Sequence, residues 1–246
     1  NILPARLGEV VRAYYLARRE GIPTSAGVAT IIIERVYDGL TLLLLAAVAA
    51  PVIIWAGLVD GSKTSVQISW GIFGLAALFI FLLAIGVLTL LAINPSFVRL
   101  FEKCANLLPG RIPSKINELL GLFVSGLSVL KEPQRHLGLF VRSLPVWLLE
   151  GAMYLVIGLS FDLQEFFDPG LLLIPVVLLV TAVSNLATSI PSSPGSIGTF
   201  EFPAVAALTL VGVGAGVAGA FALMLHVYLL VPVTILGLIF LWCGHD

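Results

Sequence analysis

Five stretches of this chain are long and apolar enough to cross a lipid bilayer, and nothing else in the sequence limits the fold as strongly. A spanning helix needs about 20 mostly apolar residues, because the hydrocarbon core is roughly 30 Å thick. Thr24–Ile54, Ile68–Ile93, Leu137–Leu159, Gly170–Ile190 and Val217–Trp242 meet that length, and Ile68–Ile93 carries no charge. Phe200–Val211 is equally apolar but, at about a dozen residues, too short to cross. Lipid leaves no partner for exposed backbone groups, so only helices and closed barrels span it. The short alternating segments of a barrel are absent, which leaves the α-helix.

Composition agrees. Of the 246 residues, 59% are hydrophobic and 11% charged, with a mean hydropathy of +1.09. Soluble domains carry roughly 25% charged residues. The expected class is an all-α, polytopic transmembrane helical bundle. The basic residues lie between apolar spans, so no nucleic-acid footprint exists and no nucleic-acid partner is expected. Cys104 and Cys243 are too few for a disulfide framework or a metal site and read as structural thiols. His136, His226 and His245 share no ligand spacing; His226, in mid-span, reads as a helix-to-helix hydrogen bond. No metal or cofactor is expected.

Loop charge sets the orientation. Asn94–His136 carries Arg99, Lys103, Arg111, Lys115, Lys131 and Arg135, and the opening segment carries Arg12, Arg18 and Arg19. The opposite loops hold Asp60 with Lys63, and Asp162, Glu165 and Asp168. The positive-inside rule places the first two regions in the cytoplasm. Within residues 94–136, Phe97, Leu100, Phe101, Cys104 and Leu108 recur at helical spacing, as do Ile116, Leu119, Leu120, Phe123, Leu127 and Leu130. Two cytoplasmic amphipathic helices are expected there, an insertion within one transmembrane domain covering residues 1–246.

Two segments echo each other. Pro4-Ala5-Arg6-Leu7-Gly8-Glu9 and Pro194-Gly195-Ser196-Ile197-Gly198-Thr199-Phe200-Glu201 each have a Pro, a Gly four residues on, then a Glu. Paired apolar segments interrupted by Gly and Pro point to a transporter's binding site. Gly170–Ile190 would dive from the outer side, the turn Pro191–Thr199 would lie within the membrane, and Phe200–Val211 would return outward. Val217–Trp242 then runs opposite to Thr24–Ile54, as inverted repeats require. By the same reasoning Pro4–Glu9 is the tip of a matching re-entrant hairpin. Its entering arm would precede Asn1, so the chain is expected to be part of a longer protein.

The intramembrane charges supply candidate site residues. Glu34 and Asp38, four apart, share a helix face with Arg35 alongside. Glu34 lies ~15 Å into its span, near the midplane. Each such charge costs about 2.5–3.5 kcal/mol on insertion scales. The three either pair among themselves and fix the bundle or line a water-filled cavity. Glu150 is at similar depth, as a helix-to-helix bond or a cavity group; Arg142, near the cytoplasmic end, is expected to snorkel. The polar turn with Ser192, Ser193, Gly195 and Gly198 is irregular backbone, which survives at membrane depth only inside protein or beside water. Free N–H groups at the start of the helix near Phe200 would favour an anion. Arg6 and Arg35 could add positive charge. Glu9 and Glu201 answer the helix dipole, pair with an arginine or exchange protons; the sequence does not choose among these.

Taken together, Asn1-Ile2-Leu3-Pro4-Ala5-Arg6-Leu7-Gly8-Glu9 with Arg12, Glu34-Arg35-x-x-Asp38, and Pro191-x-x-Pro194-Gly195-x-x-Gly198-Thr199-Phe200-Glu201 resemble the transmembrane, flippase-like domain of the lysylphosphatidylglycerol synthase family. The order and spacing agree from Asn1 to about Gly237. Family members usually begin with about two more helices. The resemblance implies translocation of a lipid across the bilayer: a phospholipid, an aminoacyl-phospholipid or a lipid-linked sugar. A prokaryotic cell membrane, a separate lipid-modifying synthase as partner and a homo-oligomer are further expectations. No synthase domain follows the spans, so transport rather than catalysis is expected. Arg6 and Arg35 would attract the anionic head group. Glu9, Glu34, Asp38, Glu150 and Glu201 would hold those arginines or a cationic part of it. The rival expectation is a membrane enzyme acting on a lipid-linked phosphate or sugar, with Glu34 and Asp38 as acid, base or metal ligands.

Overall fold

In the computed structural model, the described residues are 7–21, 24–59, 89–106, 132–189 and 193–243, with single positions between 79 and 87 and between 117 and 124. All regular structure among them is helical. We label the helices α1 (Leu7–Glu20), α2 (Thr24–Trp55), α3 (Pro95–Ala105), α4 (Pro133–Ser160), α5 (Leu173–Ala187), α6 (Glu201–Leu210) and α7 (Ala215–Cys243). Four segments are long and apolar enough to span: Thr30–Trp55, Gln134–Ser160, Gly170–Ala187 and Ala215–Ile239. These coincide with four of the five expected spans, and α6 is the short helix expected after residue 200. The second expected span, Ile68–Ile93, is helical wherever it is described. The first amphipathic segment is α3; most of the second, like the repeat segment at Pro4 and Arg6, lies outside the described residues.

Apolar surface confirms the solvent. Leu149 on α4 is 75% exposed and Leu223 on α7 is 60% exposed. A water-facing helix would place polar side chains at such positions. Pro51, Pro145 and Pro232 sit inside α2, α4 and α7. Spanning helices tolerate such interruptions because neighbouring groups satisfy the freed carbonyls.

The chain divides into two compact units. One contains Glu9–Leu40 and Leu75–Leu144. Its core joins Ile33, Tyr37 and Leu40 of α2 to Leu91 and Ala92, packed against Phe97 and Val98 of α3 and Leu139 and Phe140 of α4. The other contains Thr41–Gly74 and Pro145–Asp246, together with the first residues. In it α6 packs between α5 and α7. Tyr154, Leu173, Val180, Leu208, Phe221 and Leu225 are fully buried there. Close approach of α4 to α5 depends on Gly151, where an added Cβ would lie 3.2 Å from a Leu178 methyl. Small residues at such contacts are how membrane helices approach closely.

Candidate functional site

The unit that contains Pro145–Asp246 has a cluster of polar groups at the break between α5 and α6. After Ala187 the helix ends in a turn at Thr188 and Ser189, and Pro194–Ser196 forms one turn of 3-10 helix. Gly195 and Gly198 have φ of 70° and 87°, the left-handed region glycine enters without strain. Ser196 adopts φ 60° in the same turn. Pro194 and Gly195 thus hold an irregular turn ahead of α6. The Ser193 hydroxyl donates to the Ile197 carbonyl (2.5 Å) and that of Thr199 to the Ser196 carbonyl (2.9 Å). Ser192 lies outside the described residues.

Glu201 opens α6, and both its oxygens are engaged. Oε2 accepts the Gly198 N–H of the preceding turn at 2.7 Å. Oε1 lies 2.5 Å from Nδ1 of His226 on α7. The other ring nitrogen, Nε2, donates to the Gly195 carbonyl at 2.8 Å. The carboxylate therefore answers the N-terminal dipole of α6 itself. The N–H groups expected to be free for an anion are partly taken: that of Gly198 by Glu201, those of Phe200 and Phe202 by the Ser196 and Gly198 carbonyls at 3.1 and 3.0 Å. An acid in the first turn supplies from within the chain the negative charge that a ligand would have brought.

A second cluster lies on α4 and α5. Glu150 Oε1 accepts from Asn185 Nδ2 at 2.7 Å and from the Tyr154 hydroxyl at 3.2 Å. Asn185 Nδ2 also reaches the Thr181 carbonyl at 3.0 Å. Tyr154 is fully buried, so its hydroxyl needs this partner. Phe200 separates the two clusters, its ring 6.3 Å from that of Tyr154 and 5.0 Å from that of His226. One buried aromatic thus stands between two hydrogen-bonded acids.

The other unit carries Glu34, Arg35 and Asp38. Arg35 pairs with Asp38 on the next turn of α2 at 3.5 Å, and the Ser143 hydroxyl donates to Asp38 at 2.8 Å. The Tyr37 hydroxyl is hydrogen-bonded to Nδ1 of His136. Glu34 and Arg35 are exposed on the helix surface. Arg6 and the side chain of Glu9 lie outside the described residues. Among the described residues no three His, Cys, Asp or Glu stand together as a metal set.

Sequence reasoning missed Asn185, Tyr154, Ser143 and the specific partners of His226. One signal was available: an amide and a histidine inside apolar spans each require a partner. Which partner they choose is a tertiary fact, since Asn185 and Glu150 are 35 residues apart and His226 and Glu201 are 25 apart.

A chain of apolar helices interrupted by a Pro-Gly break with paired acids defines a polytopic membrane protein. Residues 1–237 match the lysylphosphatidylglycerol synthase transmembrane region, and the chain belongs to that family. It is 27% identical over 227 residues to the UPF0104 membrane protein MJ1078 of Methanocaldococcus jannaschii, covering 92% of this chain and 84% of that protein. It is also 27% identical over 223 residues to glycosyltransferase AglD of Haloferax volcanii, covering 81% of this chain but only 34% of that protein. No solved structure matches the chain.

Proposed function

We propose that this protein is a lipid transporter that moves a lipid with a charged or phosphate-containing head group across the bilayer. The observation that carries the reading is the polar break at residues 193–200, flanked by apolar helices and backed by Glu150, Asn185, Glu201 and His226. Broken helices with satisfied acids are the device by which transporters hold a polar cargo at membrane depth. In this reading α5 and α6 form a re-entrant hairpin, residues 94–136 face the cytoplasm, and the protein sits in a prokaryotic cell membrane. Arg6 and Arg35 attract the phosphate. Glu9, Glu34, Asp38, Glu150 and Glu201 position those arginines or meet a cationic head group, and Ser192, Ser193, Gly195 and Gly198 offer backbone and hydroxyl contacts. A lipid-modifying synthase is the partner this assigns.

The test is translocation of fluorescent phosphatidylglycerol, aminoacyl-phosphatidylglycerol and a polyprenyl-linked sugar in proteoliposomes. Protein-dependent flipping of one class supports the reading. Rates equal to protein-free vesicles for all three reject it. One observation favours an enzyme instead: the matched relative named as a glycosyltransferase. The match spans a minor part of that protein, so the shared region need not hold its chemistry. A covalently altered lipid after incubation with a divalent ion and a sugar donor, seen by mass spectrometry, would move the assignment to the enzyme.

A further inference from the structure

The geometry points to a proton-binding site at the α5–α6 break, formed by Glu201 and His226, whose occupancy decides whether α6 and the Pro194–Gly195 turn are both tied to α7 at once. A carbonyl oxygen only accepts, so the 2.8 Å contact from Nε2 to the Gly195 carbonyl requires a hydrogen on Nε2. With that hydrogen in place, a neutral imidazole has a bare lone pair on Nδ1. A carboxylate also presents lone pairs. Two lone pairs do not sit 2.5 Å apart, so one proton lies between Nδ1 and Oε1. The pair is a carboxylic acid beside a neutral imidazole or a carboxylate beside an imidazolium. In both allocations the dyad holds one proton more than the separated Glu⁻ and neutral His, and its net charge is zero.

That neutrality matters in lipid, where an uncompensated carboxylate is expensive. Removing the proton leaves two arrangements. If Nε2 keeps its hydrogen, Nδ1 and Glu201 repel and the α6–α7 contact is lost. If the hydrogen moves to Nδ1, the Glu201 bond survives and Nε2 faces the Gly195 carbonyl with a lone pair, so the turn is released. Either way one of two ties closes only when the proton is bound. The tied state is therefore favoured at low pH and released as pH rises.

Among the described residues of this unit, few other titratable groups face the pair. From α4 the titratable groups facing it through Phe200 are Tyr154 and Glu150, already bonded to each other and to Asn185. Leu173–Ala187 and Thr41–Trp55 carry none, α6 has only Glu201, and on α7 the nearest other group is the exposed Tyr228. The chemistry of the ligand is the proton itself. If lipid transport is the activity, release of the turn makes it proton-linked, and this second step rests on the transport reading.

The test separates the two. Ile197, 66% exposed in the turn, is replaced by Cys in a Cys104→Ser, Cys243→Ser background and given a nitroxide label. In the full chain in liposomes, the mobile spectral fraction is expected to rise as the pH is raised. The expected rise is about fivefold, the factor that one hydrogen bond of ordinary strength corresponds to. Glu201→Gln preserves all three bonds without a titrating proton: its amide N–H₂ donates to Nδ1 and its oxygen accepts from Gly198. That variant is expected to stay in the immobile state across the range. A flat wild-type profile, or a Glu201→Gln profile that follows the wild type, overturns the proton site. In the second arm, flipping of fluorescent phosphatidylglycerol is measured with and without an imposed pH gradient. A wild-type rate that ignores the gradient overturns the coupling. No flipping under any condition overturns the transport reading, and the label profile then decides the proton site by itself.

Discussion

The two polar regions solve the same problem differently. Asp38 pairs with an arginine one turn away on its own helix, the arginine side chain 42% exposed, and accepts one hydroxyl from α4. Glu150 instead bonds to Asn185 on α5 and to Tyr154 one turn along α4, and Glu201 to His226 on α7: neutral or proton-sharing partners rather than a cation, with Tyr154 and His226 buried. A local ion pair at the surface contributes little to stability. A buried network contributes through the cost of leaving it incomplete. The contrast predicts that the first region can be altered with the fold intact while the second cannot.

The most damaging change should be Tyr154→Ala. It empties a fully buried aromatic site and removes a donor to Glu150, with an expected loss of about 3–5 kcal/mol. Thermal unfolding in detergent measures it, and a loss no greater than that of a surface variant would erase the contrast. Asn185→Leu comes next. It deprives Glu150 of its 2.7 Å donor, at about 1–3 kcal/mol, and the same assay should rank it below Tyr154→Ala. Ser143→Ala removes a 2.8 Å bond from α4 to Asp38, at about 1 kcal/mol. Arg35→Ala is expected to shift stability by less than about 1 kcal/mol while lowering the flipping rate for anionic lipid. Unfolding and flipping measured on the same preparation sharpen this last case. A variant that flips at the wild-type rate would remove Arg35 from the site, and one that unfolds would place it in the core.

The spans were readable because the bilayer imposes a length that few other folds need. Thr24–Ile54 and Val217–Trp242 differ from α2 and α7 by no more than two residues at either end. Phe200–Val211 was readable for the converse reason, being too short, and the Pro-Gly turn because its residues leave the helix little choice. The partners inside the membrane were not readable. Tyr37 and His136 are separated by 99 residues, and nothing in either apolar run marks the other. Polar residues in such spans announce that a bond exists, while packing decides with what. The same limit explains why Glu201 left three roles open. Only the tertiary arrangement brings His226 and the Gly198 amide to its two oxygens.

The segment between α5 and α6 has a consequence for isotope exchange. The Ser196 amide is held to the Ser193 carbonyl and the Phe200 amide to that of Ser196, each within a single turn, at 2.9 and 3.1 Å. Opening one such turn frees its amide without unwinding a helix, so the cost is local. In deuterated buffer these amides should exchange well before those of Val177–Val180 and Ala204–Leu208. A short bright window between two dark helices would then offer a label-free reporter, dimming wherever a head group comes to rest.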